Sequence, residues 1–112
     1  MDRPVASADA QQAYQRIATE LGGSLGAIPG KMMGMPTLYL GGKAFAGLFG
    51  DAMVFKLDGE AHAGALALPG AVLFDPSGMG RPMKAWVRVP LDQASAWPGL
   101  ARAAASAIAS AG

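Results

Sequence analysis

"KMMGMPTLYLGGKAFAGLFGDAMVFKLDG", residues 31–59, is the stretch that decides the fold. It holds three strand-like runs: KMMGMPTLYL, KAFAGLF and AMVFKL. Gly41-Gly42 and Gly50-Asp51 separate them, and Asp58-Gly59 closes the last. Two-residue separators rich in glycine suit the mirror-image turns of antiparallel hairpins, whose positive φ angles glycine tolerates. Residues 31–57 therefore read as a three-stranded meander. Pro36 cannot donate to a ladder, so it marks a strand start or an edge position.

Upstream, Ser7 or Asp9 can cap a first helix, after a frayed segment over residues 1–6. Ala10, Ala13, Tyr14, Ile17, Ala18 and Leu21 then fall on one helical face. Gly22-Gly23 stops the helix, and a loop covers residues 24–30. Downstream, GEAHAGALAL is a short helix capped by Asp58 and ended by Pro69-Gly70. Two more strands follow, AVLF and KAWVRV, joined by the loop DPSGMGRPM. A last helix carries Trp97, Leu100, Ala101, Ala104 and Ile108 on one face, with Pro98 near its start. The order is helix, three strands, helix, two strands, helix. That grouping predicts an α+β domain, a two-layer sandwich with an antiparallel sheet of about five strands.

The chain has 112 residues and reads as one domain over 1–112. It contains no cysteine, which removes disulfides, thiolate metal sites and a cysteine nucleophile. A net charge of +1 with 15% charged residues supplies no strongly basic surface for nucleic acid unless folding sorts the charges. No apolar run reaches the roughly 18–20 residues of a membrane span, and no apolar h-region precedes the N-terminal alanines. The expected compartment is the cytoplasm, with no membrane partner.

The loop DPSGMGRPMK invites comparison with phosphate-binding loops. It lacks the Walker A spacing, and a strand follows it where that motif needs a helix. Asp75-Pro76-Ser77-Gly78 is instead β-turn chemistry, and Met83 and Trp86 feed the core. Arg81 and Lys84 are left over as candidates for contact. His62 is the single histidine and has no metal partners in its neighbourhood. Asp51 and Asp58 lie at opposite ends of one strand, about 20 Å apart, too far for paired acid–base work. No catalytic residue, metal site or cofactor is predicted. Met32, Met33, Met35, Met53, Met79 and Met83 read mainly as core fillers, and those on a sheet face can line an adaptable surface.

The run from Lys31 to Leu57, the segment FDPSGMGRPMKAWVRVP and the late Trp97-Pro98-Gly99-Leu100 together resemble the TfoX N-terminal-like domain, over about residues 10–108. The marks are Met33-Gly34, the hairpin at Lys43, the Gly50-Asp51 turn and Gly80-Arg81-Pro82-Met83. The resemblance implies a two-layer α+β fold with an antiparallel sheet, here as a stand-alone domain. It also implies a bacterial chain with a link to transcription, because the full-length TfoX/Sxy regulators act with the cyclic-AMP receptor protein at competence promoters. Their helical second domain has no counterpart in these residues, and the family supplies no catalytic residues.

The expected function is a non-catalytic interaction module, transcription-related, binding a protein partner or DNA or associating with itself. Lys31, Lys43, Arg81 and Lys84 are its candidate binding residues. The alternative is a small-ligand domain using the methionine-rich sheet and the 77–84 loop.

Overall fold

Ser7 caps the first helix, α1 (Ala8–Leu25): its Oγ accepts from the Ala10 amide at 3.2 Å, satisfying one of the helix's free donors. The structure is a computed structural model and describes residues 6–32, 34–76, 78–80 and 82–111. In α1 the buried residues Ala10, Tyr14, Ile17 and Leu21 repeat at four, three and four residues, the single apolar face expected. Gly22 and Gly23 do not end the helix. Glycine within a helix costs about 1 kcal/mol but does not forbid it. The terminator is Gly26, held left-handed at φ 75°, after which the Ala27 amide donates to the Leu21 carbonyl.

Six strands follow, one more than the sequence predicts. The first long run divides into β1 (Ile28–Met32) and β2 (Met35–Leu40), which pair from Ile28↔Tyr39 to Met32↔Met35. β1 takes in part of the expected loop at 24–30. It is exposed over four of its five residues and so carries no alternating pattern to announce it. β3 (Lys43–Phe49) and β4 (Ala52–Lys56) complete the predicted meander. Both two-residue turns fall where expected, and Gly41 and Gly42 take φ of 59° and 80°.

Helix α2 (Gly59–Leu66) starts after Asp58, which occupies the cap position without a side-chain capping bond. β5 (Val72–Phe74) and β6 (Met83–Pro90) follow, then a 3-10 turn (Leu91–Ala96) and α3 (Trp97–Ala111). The sheet order is β1-β2-β3-β4-β6-β5, with every neighbouring pair antiparallel.

Alternation assigns the two faces. Met53, Phe55, Val87 and Val89 point to the helix side and are completely buried against Ile17, Leu21, Ala65, Trp97 and Ala101. Burial of each large apolar side chain contributes about 1.5–3 kcal/mol. A register shift between β2 and β3 lets consecutive Phe45 and Ala46 both enter this core. All three helices contribute to it, giving the two-layer α+β architecture. On the opposite face Met35, Val54, Phe74 and Trp86 form a second, smaller cluster. Met35 and Met53 thus fill the interior as expected, whereas Met79 is 78% exposed.

Candidate functional site

Among the described residues, the sheet places Lys31, Lys43 and Lys84 on three different strands. Lys31 lies on the edge strand β1, Lys43 opens β3 and Lys84 lies on β6. β2, β3 and β4 separate Lys31 from Lys84, about 19 Å measured along the sheet. Arg81 lies outside the described residues. The backbones of the two distant lysines carry structural bonds. Tyr39 Oη donates to the Lys31 carbonyl at 2.9 Å, and His62 Nε2 donates to the Lys84 carbonyl at 2.8 Å. His62 therefore ties α2 to β6.

The glycine-rich loop already holds an anion, and that anion is its own aspartate. Asp75 Oδ1 accepts from the Gly78 amide at 3.1 Å, and Oδ2 accepts from the Gly80 amide at 2.9 Å. Gly78 also donates to the Asp75 carbonyl, closing the predicted turn. Two amides that a phosphate loop would offer outward are thus directed at a carboxylate within the loop. Asp51, at the β3–β4 turn, plays a comparable role over a longer range: its Oδ1 accepts from the Ser7 amide at 2.6 Å and fixes the start of α1.

A concave feature of the molecule lies elsewhere. Between the last turns of α1, the β2–β3 turn and the C-terminal half of α3 is a cavity of about 760 Å³. Leu21, Leu25, Leu40 and Ile108 form its apolar wall, with Ser24, Gly41, Lys43, Arg102, Ala105, Ser106 and Ala109 completing the lining. Small residues explain the space. Ala105 and Ala109 are one helical turn apart on α3, and Gly41 has no side chain, so the wall of leucines is left unfilled. Leu25 remains 46% exposed at the lip. Arg102 bridges to Glu20, with Nε to Oε2 at 3.0 Å, and so joins α3 to α1 beside the opening.

A second cavity of about 180 Å³ adjoins the first, because Lys43 and Ile108 line both. Lys56, Leu57, Asp58, Ala85 and Ala107 complete it. Lys56, which sequence reasoning did not single out, borders this cavity at the end of β4, but it pairs with Trp86 and follows Phe55, so its side chain leaves on the sheet face away from the helices. Arg102 and the groove-lining Ala105 and Ala109 of α3 were missed as well. The available signal was the i, i+4 pair of alanines at 105 and 109, adjacent to Ile108, in a helix otherwise read only for its buried face.

Another cavity, of about 350 Å³, lies at the other end of α1 and is lined by Tyr14, Gln15, Met35, Phe49 and their neighbours. Tyr14 Oη is buried without a hydrogen-bond partner among the described residues, and burial pushes the phenol's pKa up to about 12. Among the described residues no three His, Asp or Glu side chains converge as metal ligands. No helix there is long and apolar enough to cross a membrane.

No protein-family model matches the chain, and neither the curated proteins nor the solved structures provide a match.

Proposed function

We propose that this domain is a non-catalytic binding module that takes a small, largely apolar ligand into the groove formed by α1, α3 and the β2–β3 turn. The observation that carries the reading is the cavity of about 760 Å³ with its wall of Leu21, Leu25, Leu40 and Ile108. Ligand sites are typically concavities of about 300–1,000 Å³, mostly apolar, with a few polar groups that orient the occupant. Lys43, Ser24 and Ser106 are such groups here.

This keeps the non-catalytic role expected from the sequence and places ligand contact in the groove, away from the 77–84 loop. Met35 and Met53 are committed to the interior, and the Gly78 and Gly80 amides are committed to Asp75. The spread of Lys31 and Lys84 across the sheet weighs against a single phosphate-tracking patch. The two-layer architecture agrees with what the TfoX N-terminal-like resemblance implies, and we carry membership of that family forward as a proposal.

The test is binding of the fluorescent probe 8-anilinonaphthalene-1-sulfonate to the native protein and to Ser106→Trp. Ser106 is exposed and lines the cavity, so an indole there fills the groove without entering the core. The expected result is enhanced fluorescence with the native protein, lost in the variant. An absence of enhancement, or enhancement indifferent to Ser106→Trp, overturns the reading.

A further inference from the structure

Among the described residues, one thioether stands apart from the rest. Five of the seven methionines are described, and Met1 and Met33 lie outside the described residues. Met53 is completely buried against the helices, and Met35 is 6% exposed with its Cε over Gly47. Met32 and Met83 are half-buried and pack on the second cluster. Met79, in contrast, is 78% exposed. The backbone on either side of it is held in place. Gly78 and Gly80, left-handed at φ 68° and 78°, direct their amides onto the two oxygens of Asp75. The turn thus presents the Met79 side chain to water.

Thioether sulfur is oxidised to the sulfoxide by hydroperoxides that reach it. We propose that Met79 is an oxidation site of this domain, accepting an oxygen atom from hydroperoxides while the methionines of the two cores are spared. The sulfur lone pair attacks one peroxide oxygen and forms the S–O bond. The O–O bond breaks, and the departing oxygen keeps the proton and leaves as water or an alcohol. Sulfur gives up two electrons, and the peroxide takes them. The same oxygen added at Met35 or Met53 would put a polar group inside a core. Those two sulfurs react only when the fold opens. The opening equilibrium therefore holds their rates below that of Met79 by at least about ten-fold. At Met79 the added oxygen extends into water and leaves both clusters packed as they are.

The experiment is a time course of the full chain with dilute hydrogen peroxide, in buffer and in unfolding concentrations of urea. Each sulfoxide is assigned by tandem mass spectrometry of proteolytic peptides. In buffer, Met79 should react ahead of Met32 and Met83, and at least about ten-fold faster than Met35 and Met53. In urea the five rates should converge, because the same chemistry then meets similar exposure. Protein oxidised at Met79 alone should keep the native thermal midpoint, and so should Met79→Gln, whose amide oxygen imitates the sulfoxide.

Met35 or Met53 keeping pace with Met79 in buffer overturns the proposal, as does Met32 or Met83 reacting first. An order of reaction that persists unchanged in urea also overturns it, since the fold would then not be what selects Met79. A lowered midpoint, in the oxidised protein or in Met79→Gln, overturns the claim that oxidation there spares the cores.

Discussion

The rings of Phe49 and Phe74 meet edge to face, with centroids 5.0 Å apart and planes at 69°. Yet β4 and β6 lie between their parent strands. In a flat sheet three strand spacings would hold them about 14 Å apart. The two side chains lean toward each other over the face away from the helices, and Val54 is completely buried in the cluster they join. Truncating Phe74 to alanine should cost about 3–5 kcal/mol in urea denaturation, as for a buried aromatic in a core. A double-mutant cycle of Phe49→Ala with Phe74→Ala should return a coupling of about 0.5–1.5 kcal/mol. Strict additivity of the two would show that the rings do not interact across the sheet.

Gly47 sits opposite Thr37 and Val54 in the middle of the sheet. A Cβ there would come within 3.1 Å of both Met35 Cε and the Pro36 carbonyl oxygen. The methionine end can move, but the backbone oxygen is held in the ladder. Gly47→Ala should destabilise by about 1–3 kcal/mol, the usual cost of overpacking. A thermal midpoint equal to or above that of the native protein would contradict this.

Asp75 organises its loop through the amides of Gly78 and Gly80. Asp75→Ala removes the carboxylate from both amides and leaves Gly78 only the carbonyl of residue 75. Hydrogen exchange at Gly78 and Gly80 should accelerate clearly, while strand amides such as Val87 stay protected. Unchanged exchange at both glycines would mean that the carboxylate does not hold the loop.

Tyr14 is 5% exposed and has a phenol oxygen with no partner among the described residues. Desolvation raises its pKa from 10.0 to about 12. The folded state thus keeps the proton more tightly than the unfolded chain does. Stability from this group is fully present below pH 10 and is lost as pH rises toward 12, with a steepest slope of about 1.4 kcal/mol per pH unit. Denaturant titrations across that window should show the decline, and Tyr14→Phe should flatten it. Because the hydroxyl is buried unmatched, Tyr14→Phe should also hold or raise stability at pH 7. A loss of more than about 1 kcal/mol there would indicate a hydrogen bond to Tyr14 Oη.

The meander was legible because its determinants are local. Gly41-Gly42 and Gly50-Asp51 specify turns, and Met53, Val54 and Phe55 alternate between two buried faces. β1 was not legible, since Ile28, Pro29, Gly30 and Lys31 are all exposed and only pairing with β2 makes them a strand. Of the candidate site, Lys43 was visible as a cation beside a hairpin turn. Its neighbours were not, because the groove is an unfilled space between elements distant in sequence. Leu21, Leu40 and Ile108 each read as an ordinary apolar residue, and only the packing shows that no side chain occupies the room between them.

The two flanks of the sheet also set limits on how copies of this domain can meet. On one flank, β1 brings Pro29, which has no N–H to offer, and Lys31, whose charge resists an incoming strand. On the other, β5 is three residues long. Both edges therefore discourage ribbon extension, so concentrated solutions should resist amyloid-type polymerisation.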